Sequence, residues 1–417
     1  MWFTNVDYIT VVRSEAKELE NIRGWILLYG RRKVGKTFLL KNFMKWDAYI
    51  VVRRDLSLRA ENIKINNIKE IPEKVGSLLE EERIVVIDEF QRLPESVLED
   101  LTEYHPKGRL ILSGSSLGAV RKIFEPKSPL LGFFTPYKLS LIQPLDILSA
   151  LLQKYSPIKA VELASYLRDP WLIPLYGDED ITTFIYKYTC KYWQVVKALL
   201  GEVFAEEERT LTKIYEAIIS LLGSRIWKIK EIANTLYTKG VISEPSSSHV
   251  SGFMKNLIEM DLVEAIKLYE SRRKYYKLKS PIMETYYFLE NKYDVSERQV
   301  SLSEVKPALE YSIRLQVEDY LADLTAQIYE GRREYSVMPE IDSIITVRRK
   351  IKAVVEVKWG NYSKKDLEKF YKKTETIPGE KIFITRKKEE SLYKTIKIID
   401  AEDLATQVKS IIETRQK

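Results

Sequence analysis

The feature that most restricts this chain is an apolar strand signal that runs directly into a glycine-bounded loop and a helix start. Trp25-Ile26-Leu27-Leu28-Tyr29 precedes Gly30-Arg31-Arg32-Lys33-Val34-Gly35-Lys36-Thr37, and a helical stretch from Phe38 to Met44 follows. The loop fits the phosphate-binding pattern of glycine, four residues, then glycine-lysine-threonine. Gly30 and Gly35 let the backbone curl so that successive N–H groups point inward at phosphate oxygens. The helix behind the loop adds its positive N-terminal end. In such a loop Lys36 bridges the β- and γ-phosphates and the Thr37 hydroxyl ligates Mg²⁺. Because strand and helix both flank the loop, the reading is a nucleoside triphosphate site, with Gly30, Arg31, Arg32, Lys33, Val34, Gly35, Lys36 and Thr37 lining it.

The strands that follow support a parallel α/β sheet. Ala48 to Arg53 is a second strand, and Arg83-Ile84-Val85-Val86-Ile87-Asp88-Glu89 a third. Four β-branched apolar residues in a row suit a strand buried on both faces, and the C-terminal ends of such strands are where these sheets hold ligands. Asp88 is expected to hold Mg²⁺, through water or Thr37, and Glu89 to polarise the water that attacks the γ-phosphate. Arg109 to Ser113 and Tyr137 to Leu141 complete five strands. Ser113 is the best candidate to sense the γ-phosphate, with Ser115 nearly as good.

These motifs carry a resemblance. Gly30 through Thr37, Ile87-Asp88-Glu89-Phe90-Gln91 and Ser113-Gly114-Ser115-Ser116-Leu117-Gly118 resemble the archaeal ATPases allied to the STAND and AAA+ P-loop proteins. The resemblance implies ATP as the nucleotide and Glu89 as the catalytic glutamate. Such proteins usually continue with Ser-Pro-Leu-x-Gly-Arg, whereas this chain has Ser128-Pro129-Leu130-Leu131-Gly132-Phe133. A charge-stabilising arginine is then expected from elsewhere, from Arg121 or another subunit of a homo-oligomer.

Downstream, the text becomes helical and aromatic. Residues 146–210 read as a helical lid without a chemical motif, broken by Asp169-Pro170 and Ile173-Pro174. Its Tyr186-Tyr188-Tyr192-Trp193 stripe has helical spacing, which favours core packing over base stacking. Residues 211–293 give three helices (211–222, 230–237 and 246–260) and two short strands (262–266 and 274–278) around Arg272-Arg273. That order is the winged-helix variant of helix-turn-helix. Only Lys255 and Asn256 on its third helix are strong base readers, so DNA contact and internal scaffolding stand level.

After a linker near Asp294 to Pro307, residues 308–417 change pattern again. A helix from Glu310 to Ile328 precedes a strand at Tyr335 to Met338. The next strand runs through Asp342 to Val347, turns at Arg348-Arg349-Lys350, and returns as Ile351 to Val357. A basic helix, Lys364 to Lys373, and a strand, Lys381 to Thr385, follow. If the turn has three residues, Val347 pairs with Ile351 and Asp342 lies opposite Glu356, on one face with Lys358. Two carboxylates at that spacing repel unless a cation sits between them, and their hard oxygens suit Mg²⁺. Lys358 is then placed to stabilise an attacking hydroxide, and Glu318 to add a ligand. The layout resembles the PD-(D/E)xK nuclease superfamily, which implies Glu318, Asp342 and Glu356 as metal ligands, with Mn²⁺ as an alternative, and Glu356 and Lys358 as catalytic. The lysine-rich helix suits a phosphate backbone or a solvated face.

Composition narrows the setting. With 45% apolar and 30% charged residues among 417, a soluble, multi-unit globular protein is expected. No apolar run approaches the roughly 20 residues of a membrane span, and no membrane partner is expected. A single cysteine, Cys190, excludes an internal disulfide framework, and His105 and His249 are too few for structural zinc. These features point to the cytoplasm. Lys+Arg of 67 against Asp+Glu of 60 leaves +7, which permits a nucleic-acid partner without demanding one.

The expected fold is therefore α/β: a P-loop NTPase parallel sheet (1–145), a helical lid, a winged-helix domain and a restriction-endonuclease-like α/β C-terminal domain. The expected function is an ATP-hydrolysing protein coupled to a Mg²⁺-dependent DNA-binding, endonuclease-like part. The alternatives are a STAND-like ATP-driven switch, or a DNA-binding regulator, with a non-cleaving C-terminal domain.

Overall fold

A computed structural model describes residues 9–207, 211–388 and 395–416. The chain forms two units: Val12–Leu141 with Leu199–Thr210, and Met1–Val11 with Ile142–Ala198 and Leu211–Lys417.

The first unit is built on strands β1 (Trp25–Tyr29), β2 (Ala48–Val52), β3 (Leu58–Glu61), β4 (Ile84–Asp88), β5 (Arg109–Gly114) and β6 (Phe134–Lys138). They form a six-stranded sheet in the order β3-β2-β4-β5-β1-β6. Every pairing is parallel except β2 with β3. Alternate residues of the apolar strands enter two separate cores. Leu27, Ile50, Val85, Ile87, Leu110 and Leu112 meet helices Ile71–Glu80 and Glu95–Thr102. Ile26, Leu28, Tyr49, Val86 and Ile111 meet Leu19, Leu39 and Leu40 from helices Glu15–Asn21 and Lys36–Phe43. Burial on both faces explains why these strands read as unbroken apolar runs.

Two strands depart from the sequence expectation, both at edges. The last strand lies at Phe134–Lys138, earlier than Tyr137 to Leu141, and contains Pro136. A proline is tolerated there because an edge strand needs ladder bonds on one side only. β3 is half exposed and antiparallel, so it has no apolar run to betray it.

The second unit centres on the long helix Leu302–Ile328. Residues read as linker, 294–307, thus include its start, capped by Ser301 and carrying Pro307 in its second turn. Around it lie helices Pro144–Leu151, Pro157–Leu167, Ile181–Tyr186 and Pro281–Tyr293. The aromatic stripe packs inward in part: Tyr186 donates to Val300 O at 2.6 Å, Tyr188 packs on Phe184, and Trp193 stacks on Tyr286, whereas Tyr192 is exposed.

Helices Lys213–Gly223, Ile229–Thr238 and Ser247–Glu259 lead into hairpin β7 (Val263–Leu268) and β8 (Lys274–Leu278). Next come β9 (Arg332–Val337), β10 (Glu340–Val347), β11 (Lys350–Lys358), β12 (Glu380–Thr385) and β13 (Ile396–Ile399), with helix Lys364–Thr374 between β11 and β12. All seven strands share one sheet, ordered β13-β12-β11-β10-β9-β7-β8. The hairpin joins it through two parallel pairs, Lys267 with Glu334 and Leu268 with Tyr335.

The β10–β11 turn differs from the expected three-residue loop. Val347 pairs with Lys350, and Arg348 and Arg349 both have positive φ, at 49° and 67°. Such a two-residue turn matches the right-handed twist of the strands. A bulge at Lys352 then restores the register, since Thr346 pairs with Ile351 but Ile345 with Ala353. By Ser343, which faces Val355, the ladder is in the frame that sets Asp342 across from Glu356.

Candidate functional site

In the first unit, the loop after β1 is constrained at each glycine. A Cβ on Gly30 would lie 2.0 Å from Leu139 O. Gly35 has φ of +91° at the start of helix Lys36–Phe43, a conformation that side chains disfavour. Lys36 Nζ donates to Gly30 O at 2.7 Å and Arg31 O at 3.2 Å. Burial brings its ammonium down to about 8, against the pull of Glu89, Asp88 and Glu206. A desolvated cation wrapped by its own loop is poised for an anion.

Asp88, at the end of β4, is held by two hydroxyls on one oxygen: Thr37 Oγ1 at 2.7 Å and Tyr49 OH at 2.8 Å. Tyr49, on β2, was not anticipated; its alternation places it on the Thr37 side of the sheet, and burial with Asp88 drives its phenol far above ordinary titration. Glu89 has φ of +60°, a left-handed turn that only a surrounding structure sustains in a non-glycine residue. Its Oε2 accepts from Gln91 Nε2 at 2.8 Å and pairs with Arg92 at 2.9 Å.

Both candidate sensor serines sit near the carboxylates, in different states. Ser113 pairs in register with Asp88 and Leu28, and its fully buried Oγ meets no hydrogen-bond partner among the described residues. Ser115 accepts from Gln91 Nε2 at 3.3 Å and donates to Glu206 Oε2 at 2.8 Å. Arg32 pairs with Glu206 at 2.6 Å and Glu202 at 2.9 Å. No sequence signal could have found Glu206, some 170 residues away. Phe133 packs edge-on against His105, at 5.0 Å between ring centroids, so that position joins the apolar core. Arg121 is exposed on helix Leu117–Ile123.

The donor set fits a Mg²⁺-nucleotide. It offers a threonine hydroxyl bonded to an aspartate, a buried lysine, and an orphaned serine hydroxyl at the next strand end.

The second unit holds the other carboxylates. Asp342 Oδ2 accepts from Val357 N at 2.8 Å. Burial, then the charge of Glu356, raises it to about 7. Glu356 is likewise raised, by burial, although Lys373 Nζ lies 3.1 Å from it. Glu318 is pushed up to about 8 by burial and then by Asp342. Lys358 pairs with Asp366 of helix Lys364–Thr374 at 2.6 Å, and its charge also favours ionised Glu356. Among the described residues no group of three His, Cys, Asp or Glu side chains is gathered to hold a metal ion. A cation between Asp342 and Glu356 would therefore need other oxygens, with Glu318 acting through its field.

Next along the same helix, Asp319 behaves oppositely. Burial would raise it, yet Lys277, Arg225 and Arg333 together hold it far below the carboxylate range. Arg333 also binds Asp323 at 3.0 Å and donates to Asp342 O at 3.3 Å. Of the expected base readers, Asn256 donates to Tyr215 OH at 2.7 Å within its own helical cluster, whereas Lys255 is exposed.

A parallel sheet with this loop, threonine–aspartate pair and strand-end glutamate defines a P-loop nucleotide-binding unit. Residues 23–139 match the family described as AAA domain, so this part of the chain is a P-loop AAA-type ATPase domain. Comparison with curated proteins finds no match. Among solved structures, the chain is similar to the Aeropyrum pernix ORC2 protein in its ADPNP-ADP complexes (15% identity, 72% of this chain and 93% of that one, TM-score 0.38). It is also similar to the Aeropyrum pernix ORC1 protein in complex with DNA (15%, 70% and 96%, 0.28). A Pyrococcus horikoshii STAND protein with a tetratricopeptide repeat sensor gives 15% identity over 78% of this chain and 52% of that one, at a TM-score of 0.28. At such scores the shared shape is too slight to transfer a partner or a reaction. No helix among the described residues is long and apolar enough to cross a membrane.

Proposed function

We propose that the chain hydrolyses ATP and uses the nucleotide state to govern a divalent-cation-dependent C-terminal part that acts on DNA. At the nucleotide site, Lys36 and the loop amides hold the phosphates, Thr37 and Asp88 hold Mg²⁺, and Glu89 accepts a proton from the attacking water. Bound Mg²⁺ would supply neutralising charge for the phosphates. Hydrolysis is expected to be slow, because Phe133 leaves the arginine to Arg121 or to a second copy of the chain.

The observation that carries the C-terminal part of this reading is the placing of half-buried Asp342 across the β10–β11 ladder from half-buried Glu356, with both carboxyls raised. Such a pair gains most from a divalent cation. Lys364, Lys365, Lys369 and Lys372 lie exposed on the adjacent helix, where a phosphate backbone could run. Residues 211–293 are read as a winged helix and 308–417 as PD-(D/E)xK-like. One observation favours a second reading, an ATP-driven switch or DNA-binding regulator that does not cut: the Lys358 ammonium is ion-paired with Asp366.

Incubating the full-length chain with supercoiled, linear and branched DNA, with Mg²⁺ or Mn²⁺ and with or without ATP, separates these readings. Metal-dependent cutting that disappears in Asp342→Asn and Lys358→Ala supports the first. DNA binding without cutting of any form leaves the second. Lys36→Ala is expected to weaken ATP binding by two orders of magnitude or more, about 3 kcal/mol, and normal binding in that variant would remove the nucleotide site itself.

A further inference from the structure

The nucleotide site contains an anion of its own. Glu206, the last residue of helix Trp193–Glu206, lies with the first unit through Leu199–Thr210. Its two carboxylate oxygens are used separately: Oε1 on Arg32 NH1 at 2.6 Å, and Oε2 on the Ser115 hydroxyl at 2.8 Å. Arg32 belongs to the phosphate loop, and Ser115 follows the strand end that bears Ser113. The same carboxylate acts on the Lys36 ammonium. Ser115 in turn accepts from Gln91 Nε2, whose second N–H goes to Glu89 Oε2. A continuous relay therefore runs from Glu206 through Ser115 and Gln91 to Glu89. Neighbouring acids fix this arrangement: Glu202 takes the other edge of Arg32, and Glu207 accepts the Leu117 and Gly118 amides at 2.8 and 3.2 Å.

We propose that Glu206 is a specificity-determining residue that competes with the γ-phosphate for Arg32 and Ser115, so that the site discriminates ATP from ADP through this exchange. The inference rests on the nucleotide reading and adds what the third phosphate displaces. A highly charged triphosphate tail is repelled by three glutamates and by the negative C-terminal end of their helix. ADP lacks the group that would take over Arg32 and Ser115, so it leaves the carboxylate in place. When the γ-phosphate arrives, Ser115 loses its acceptor and Gln91 is free to release Glu89 toward water.

The test measures the affinity of the full-length chain for a non-hydrolysable ATP analogue and for ADP, each with Mg²⁺. Glu206→Gln is expected to tighten the analogue roughly tenfold while leaving ADP within twofold. A parallel change for both nucleotides, or weaker analogue binding, overturns the inference. Failure of wild type to bind either nucleotide instead overturns the nucleotide reading. Amide exchange in the wild-type chain gives a readout that needs no variant. The analogue, and not ADP, should speed exchange over residues 199–206, and equal exchange with both nucleotides counts against the competition.

Discussion

At the end of β4, Asp88 accepts two hydroxyls and Glu89 an amide and a guanidinium. In the C-terminal sheet, among the described residues, Asp342 accepts from one main-chain amide and Glu356 from one lysine, and the two carboxyls are half-buried neighbours. The first pair is hydrogen-bonded by partners within the fold, whereas the second retains an electrostatic cost that shows as an upward shift of both carboxyls. The difference separates two uses of acidic residues. On the proposed reading one is preorganised, its hydrogen bonds and ion pair made before a nucleotide binds. The other is strained until a cation or a proton arrives.

The largest expected effect falls on the preorganised pair. Glu89→Gln keeps the hydrogen bond from Gln91 but removes the proton acceptor. Phosphate release should fall by about 10²- to 10⁴-fold, the usual range for a lost general base, while ATP stays bound. Measuring turnover and retained nucleotide in the same preparation checks both halves. Normal turnover would assign the base to another residue and erase the contrast between the two acidic centres.

The strained pair predicts a smaller effect with a definite pH sign. Asp342 and Glu318 have folded values near 7 and 8, above those of the unfolded chain. Between about pH 4 and those values the folded state binds more protons, so stability declines as pH rises and then levels off. Asp319, held low on the same helix, has the reverse sign: its contribution is full above about pH 4 and fades on acidification. In the absence of metal, Asp342→Asn should therefore raise stability at pH 8 by roughly 2 kcal/mol, with little change at pH 5. Mn²⁺ should stabilise wild type and not the variant. Thermal melts at both pH values, with and without Mn²⁺, decide it; an equal gain at pH 5 would mean that the substitution improves packing rather than relieving charge.

How far each centre can be read from sequence follows from its contacts. Lys36 and Thr37 open the helix behind a glycine-bounded loop and Asp88 and Glu89 lie at the end of an apolar strand, all local signals, so the nearness of these residues is legible in the sequence. Asp342 opposite Glu356 depends on a ladder, and the expected turn at Arg348 to Lys350 differed from the two-residue turn that forms. The bulge at Lys352 compensates by one residue, an event no periodicity announces. Tyr49, Gln91 and Glu206 were missed because a lone tyrosine, amide or glutamate carries no spacing signature; only the tertiary fold brings Glu206 to Ser115. Lys358 was expected to converge with the carboxylates because it shares a strand face with Glu356. Its charge does act on Glu356, but its ion pair is with Asp366 on the following helix, a packing that lies beyond strand alternation.

The smallest effect probes one atom of the preorganised centre. Ser113 Oγ is fully buried beside Asp88 and has no hydrogen-bond partner among the described residues, in contrast to Ser115. A buried hydroxyl without a partner costs about 1–3 kcal/mol, so Ser113→Ala should leave the nucleotide-free chain as stable as wild type, or more so. If the hydroxyl instead bonds to nucleotide, the same change should weaken the ATP analogue by about tenfold, near 1.4 kcal/mol. Opposite signs in the melt and the titration are what a ligand-directed group produces, because its cost is borne in the free state and recovered in the bound one. Matching losses in both experiments would make Ser113 a packing residue and leave γ-phosphate recognition to Ser115 and Arg32.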